Sequence, residues 1–77
     1  MCLAVPMRLM QRDEGLGVVE IDGVRREVSL MLLDDAKVGE YLLIHAGFAI
    51  GRVDEDEAMK AIELLRQLGE VGEAARW

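Results

Sequence analysis

Two side chains in this sequence are suited to binding a soft or borderline metal ion: Cys2 and His45, the only cysteine and the only histidine. Thiolate and imidazole are the donors such ions prefer. Cys2 stands in the opening run Met1-Cys2-Leu3-Ala4-Val5-Pro6. An initiator methionine is usually trimmed when a small residue follows, which would make Cys2 the first residue. Its sulfur and α-amine would then share one carbon. The positive amine favours the thiolate, the reactive and metal-binding form, and the two groups together can close a five-membered chelate. The alternative is that Cys2 is a small hydrophobe that packs. His45 has two readings as well. It is a metal ligand, proton carrier or donor to a partner's cofactor, or it is a structural histidine bonded to a carbonyl. One histidine without a spaced companion is not a metal motif, and the structural reading is the commoner one.

Other chemistry is absent from the pattern. The sequence contains no phosphate-cradling glycine loop, no HExxH and no CxxC. No nucleophile, base and acid set can be assembled from one cysteine and one histidine far apart in sequence, so the expectation is a protein that is not an enzyme. The acids from Asp54 to Glu57 lack calcium-loop spacing and read as a helix start. Asp34-Asp35 reads as a solvated loop. Met7, Met10 and Met31 alternate with the sheet pattern and read mostly as core, although methionine also suits surfaces that repack against several partners.

The chain has 77 residues and a net charge of −6. Its expected organisation is one domain, residues 1–77, with a barrel over about 1–53 and a helix over about 54–68. A domain this small buries only about 60 to 65 % of its unfolded surface, and no disulfide or zinc-type cysteine set is present to staple it. A single reduced cysteine fits the cytoplasm. No apolar run approaches the roughly 18 residues of a membrane span, and the start lacks the pattern of a secretion signal. The first 53 residues carry eight acids and six bases, and the last 24 carry seven acids and three bases. That balance opposes binding to nucleic-acid phosphates. One Phe, one Tyr and one Trp are too few for a base-stacking platform. No nucleic-acid and no membrane partner is therefore expected.

The elements that must position Cys2 and His45 follow from hydrophobic period. Leu3, Val5, Met7 and Leu9 share one face of a strand from Cys2 to about Gln11. Pro6 cannot donate to a ladder, so its nitrogen belongs at an edge or bulge. A turn at 12–15 leads to a β-branched strand from Leu16 to Ile21. Asp22-Gly23 is a two-residue hairpin signal, since both positions tolerate positive φ. The return strand is expected from Val24 to about Leu32, with Val24, Val28, Leu30 and Leu32 in phase. A loop over 34–39 precedes a central strand, Tyr41 to Ala46, apolar on both faces. Gly47 permits a bulge or close backbone approach, and Phe48 to Val53 is a fifth strand. Asp54 is expected to cap a helix, with Glu57 completing a capping box. Ala58, Ile62, Leu65 and Leu68 form its stripe, and Gly69 its stop. The fold class is mainly β: a small five-stranded OB-like β-barrel with a C-terminal α-helix, closed so that no strand edge is left exposed.

With these residues in view, the opening "MCLAVP" followed by Met7-Arg8 resembles the start of the HypC/HupF hydrogenase assembly chaperones. The stretch "VGEYLLIHAGFAIGRVDEDEA", Val38 to Ala58, resembles that family's second signature, and "VSLMLLDD", Val28 to Asp35, fits the strand and loop between. The two signatures together are specific, and the likeness covers nearly the whole chain. Gly51-Arg52 and the tail Gly69 to Trp77 match nothing diagnostic.

The resemblance implies an OB-type barrel and a metallochaperone role in [NiFe] hydrogenase maturation. Such a chaperone carries or scaffolds an Fe(CN)2CO unit between a HypD-type iron–sulfur partner and the precursor of the hydrogenase large subunit. By match to the signatures, Cys2 is the iron ligand, shared with the partner, and His45 a candidate helper. Cys2, Leu3, Val5, Pro6 and Met7 form the partner-binding segment, which Pro6 would aim. Iron would be held transiently, with no permanent cofactor. A cyanide-bound iron is soft and suits a thiolate, and a sulfur at the chain tip can be presented to one protein and then another. The rival reading is a metal-free interaction adaptor in the same or another assembly pathway, in which the apolar first strand acts by docking alone.

Overall fold

A computed structural model describes residues 4–69. Five strands and one helix follow in order: β1 (Val5–Asp13), β2 (Leu16–Ile21), β3 (Val24–Ser29), β4 (Tyr41–His45), β5 (Phe48–Val53) and α1 (Glu55–Leu68). The strands close into a barrel of order β1-β2-β3-β5-β4. Every contact is antiparallel except that of β3 with β5, which meet at the single pair Ser29–Phe48.

β1 is the longest strand and closes the barrel. Its first half, Val5 to Arg8, pairs with Ile44 to Tyr41 of β4, and its second half, Arg8 to Asp13, pairs with Glu20 to Leu16 of β2. Arg8 is opposite both neighbours. A bulge next to it leaves Met10 without an opposite residue, because Leu9 faces Val19 and Gln11 faces Val18. An extra residue bends a strand and raises its twist, which lets one strand serve two walls. Pro6 lies opposite Leu43, in the part of β1 paired with β4 alone, so its missing N–H falls where the ladder is one-sided.

The inward faces fill the barrel. Met7, Leu9, Val19, Leu30, Leu42 and Ala49 are wholly excluded from solvent, and Val5, Ile21, Val28 and Ile44 nearly so. Each large side chain of this set contributes about 1.5–3 kcal/mol through burial. Gly17 is buried among them because nothing larger fits: a Cβ there would stand 2.8 Å from Leu9 Cδ1 and 3.1 Å from Leu30 Cδ1.

The hairpin expected at Asp22-Gly23 is present, with φ of 47° and 84°. A second tight hairpin joins β4 to β5 through Ala46 and Gly47, with φ of 53° and 87°. The irregularity expected at Gly47 is therefore a turn. The bulge of this pair lies further on, where Leu43 faces Gly51 and Ile44 faces Ala49, leaving Ile50 extra. β3 is shorter than its hydrophobic phase suggests. It ends at Ser29, whose N–H donates to Gly47 O (2.8 Å), while the Leu30 N–H donates to Gly15 O (2.8 Å). The chain then turns, so Leu32 and Met31 face solvent and not the core.

α1 packs Ala58 and Ile62 against the barrel, with Leu65 half-buried, while Leu68 is exposed. Asp54 occupies the N-cap position but its side chain makes no capping bond, so the capping box does not form. Glu55, Asp56 and Glu57 still set negative charge against the positive end of the helix dipole. Gly69 ends the helix in the left-handed conformation (φ 70°), donating to Arg66 O at 3.0 Å. Arg66 grips Asp22 in the β2–β3 turn through Nε–Oδ2 (2.8 Å) and Nη2–Oδ1 (2.6 Å), fixing the helix across the barrel. Among the described residues no helix is long and apolar enough to cross a membrane.

Gly17→Ala is expected to destabilise the fold by about 1–3 kcal/mol through overpacking. Gly15→Ala, where a Cβ meets nothing within 4 Å, is expected to be close to neutral. Urea unfolding of the two variants checks this, and equal midpoints would show that the barrel interior is not packed as described.

Candidate functional site

The start of β1 and the end of β4 lie side by side. Val5 is opposite Ile44, the residue before His45, so the chain enters the barrel at the end where His45 stands. Cys2 and Leu3 lie outside the described residues. Of the other residues expected in the N-terminal segment, Val5 and Met7 point into the core and Pro6 is buried. In this fold they anchor the chain behind Cys2, and their side chains are not on the surface.

His45 is exposed. It is opposite Phe48 across the tight Ala46-Gly47 turn, Phe48 is opposite Ser29, and Ser29 is opposite Leu16. Residues paired across neighbouring strands project to the same side of a sheet. Leu16, Ser29, Phe48 and His45 therefore form one outward row across four strands, while their neighbours Gly17, Val28, Ala49 and Ile44 are buried behind it. Among the described residues, no side-chain hydrogen bond or ion pair engages His45. The reading of it as a structural histidine bonded to a carbonyl is not what the geometry shows. Among the described residues no cluster of three or more His, Cys, Asp or Glu could hold a metal ion.

A second feature is the β3–β4 connection. Arg52, on β5, reaches across it. Its Nε donates to Glu40 Oε2 (3.0 Å), and its Nη2 lies against Asp35 O (3.0 Å) and Asp35 Oδ1 (2.9 Å). Glu40 Oε1 in turn accepts the Lys37 N–H at 2.7 Å. Arg12, on β1, donates to Ala36 O and to Glu14 O. These contacts hold the Asp35 carboxyl below the usual range, chiefly by the Arg52 hydrogen bond. They do the same for Glu40, chiefly by the Lys37 N–H and then by Arg52. Sequence reasoning passed over Arg52. A charged residue on a strand reads as a solvated face, and its partners lie 12 and 17 positions away.

The described residues form a closed five-stranded barrel with one packed helix, and the one imidazole is exposed at the end where Val5 begins the first strand. The chain belongs to the HupF/HypC family, whose sequence model matches residues 1–65. It is similar to the hydrogenase maturation factor HypC of Azotobacter chroococcum mcd 1, with 45 % identity over 75 residues, covering 96 % of this chain and 89 % of the relative. HypC of Cupriavidus necator is 44 % identical over 72 residues, covering 92 % of this chain and 80 % of that protein. The hydrogenase maturation factor HybG of Escherichia coli K12 is 35 % identical over 75 residues, covering 88 % and 92 %.

The Arg52 latch has a pH signature. Carboxylates with lowered folded-state pKa stabilise the fold above their unfolded pKa and lose that contribution as pH falls through the folded value. Between about pH 5 and pH 3, the urea midpoint of the wild type should therefore fall more steeply than that of Arg52→Gln. Parallel curves would mean that the latch does not hold in solution.

Proposed function

We propose that this protein is a hydrogenase maturation chaperone that carries or scaffolds an Fe(CN)2CO unit between a HypD-type iron–sulfur protein and the precursor of a [NiFe] hydrogenase large subunit. Family membership and the names of its relatives support the maturation role. One structural observation supports the finer reading: the β1–β4 register sets Val5, three residues after Cys2, at the barrel end where His45 is exposed and has no side-chain partner among the described residues. Covalent geometry keeps the Cys2 Cα within about 11 Å of that of Val5, since three residues can extend no further.

In this reading the iron unit is cargo. Cys2 supplies a thiolate, the donor type that suits a cyanide-bound iron. His45 lies within the region that the tethered thiol can sweep, and serves as a second donor or as a hydrogen-bond donor to a cyanide nitrogen. The partner completes the ligand set. Release needs only ligand exchange, with no change of iron oxidation state and no catalytic base. The rigid barrel matters because a transfer between two large proteins requires the thiol to return to the same place on each. Val5 and Met7, locked in the core, provide that fixed origin.

The test is infrared spectroscopy of the protein co-purified with its HypD-type partner, in the cyanide and carbonyl stretching region. The wild type should show the bands, Cys2→Ala should lose them while still binding the partner, and His45→Ala should shift or weaken them. Bands that persist unchanged in Cys2→Ala would remove the thiol from the ligand set. An iron-free wild-type complex would favour the metal-free adaptor.

A further inference from the structure

The β3–β4 connection presents two apolar side chains to solvent where a turn is ordinarily polar. Leu33 N–H donates to Leu30 O (3.0 Å), closing a turn with Met31 and Leu32 at its corner. Ala36 N–H donates to Leu33 O (3.2 Å), closing a second turn with Asp34 and Asp35 at its corner. Leu30, Leu33 and Ala36 point inward at every third position and hold the loop to the core. Met31 and Leu32 are 68 % and 63 % exposed, the highest values among the large apolar side chains of the described residues. Turn corners favour Gly, Pro, Asn, Asp and Ser, each for a conformational reason that neither residue satisfies. A local rule broken without a packing gain marks a site under another constraint.

The loop is also held in place. Arg52 ties Asp35 and Glu40, Arg12 ties Ala36 O, and the Met31 N–H reaches Ser29 Oγ at 3.3 Å. The Met31-Leu32 corner is thus a preorganised knob. A segment already in its bound shape loses less conformational entropy on docking than a mobile one.

We infer that Met31 and Leu32 form a docking knob that seats in an apolar pocket with a basic rim on a protein partner. The rim follows from charge. Asp34 and Asp35 flank the knob, Asp34 is exposed and has no partner among the described residues, and the chain carries a net charge of −6. The same charge disfavours two other occupants. In a two-fold contact between copies the same patch meets itself, which would set these carboxylates against one another. An anionic lipid surface would repel them as well. Methionine at the corner suits a knob that must fit more than one pocket, because its thioether repacks readily. The inference rests on the chain acting through protein partners, and does not depend on iron.

Binding to the purified HypD-type protein and to the large-subunit precursor tests it, with three variants beside the wild type. Met31→Ser/Leu32→Ser should weaken binding to at least one of them by about tenfold or more, the size of loss expected from truncating a buried apolar anchor. Val38→Ser, exposed on the same loop, should leave affinity unchanged. Asp34→Lys should weaken binding and flatten its salt dependence. A photo-crosslinker in place of Leu32 in the otherwise unaltered chain should capture the same protein, which guards against a variant that has lost its fold. Double-variant affinities within about twofold of wild type for both proteins would overturn the knob. A wild-type dimer in ultracentrifugation that the double variant abolishes would overturn it in favour of self-association. Knob-dependent sedimentation with phosphatidylglycerol–phosphatidylcholine vesicles would overturn it in favour of a membrane. Loss of docking here leaves the infrared bands of a reconstituted complex to be judged on Cys2 alone, so failure of this inference and failure of iron carriage are distinguishable.

Discussion

The packing of β1 is the constraint on which the rest depends. One strand must pair with β4 along its first half and β2 along its second, and only then does the barrel close. Three inward side chains, Val5, Met7 and Leu9, bind that strand to the core. The bulge at Met10 supplies the bend between its two halves. Because Val5 and Met7 are buried in the core and paired with β4, the strand begins at a fixed point. A terminal residue is ordinarily the least defined part of a domain. Here the first described residues run straight into one of the most deeply packed segments of the barrel.

Around this barrel, three arginines tie connections to walls. Arg66 joins the helix to the β2–β3 turn, and Arg12 and Arg52 pin the β3–β4 loop. Such exposed ion pairs add little to global stability because solvent screens them. Their effect is positional. The loop could otherwise sample many shapes, and the pairs select one. Two surface features result: the row ending in His45, and the Met31-Leu32 corner of the pinned loop, whose Met31 N–H bonds Ser29 of that row.

What could be read from the sequence was what local chemistry determines. Strand period placed the inward face of β1 at Val5, Met7 and Leu9, and it placed Val28 and Leu30 in the core. Asp22-Gly23 announced its hairpin because both residues accept positive φ, and Gly69 announced the helix end for the same reason. The family likeness was carried by two contiguous stretches. Features set by distant contacts were not legible. β3 stops at Ser29, where the N–H groups of Ser29 and Leu30 go to Gly47 O and Gly15 O, far along the chain in either direction. A hydrophobic phase that continues through Leu30 and Leu32 conceals that stop. Met31 read as core for the same reason. Asp54 stands where a cap should be, yet its side chain makes no bond to the helix. Of the candidate site, Cys2 was conspicuous by type and position. The exposure of His45, and its lack of a side-chain partner among the described residues, emerged only with the register of β4 against β5 and β1.

The central claim is that a sulfur fixed to a rigid barrel carries iron between two proteins, and replacing that sulfur by oxygen tests it most directly. Cells whose chain bears Cys2→Ser, expressed at the wild-type level, should assemble [NiFe] hydrogenase with activity near background, because a hydroxyl is a poor ligand for a soft iron centre. Wild-type hydrogenase activity in those cells would contradict the account.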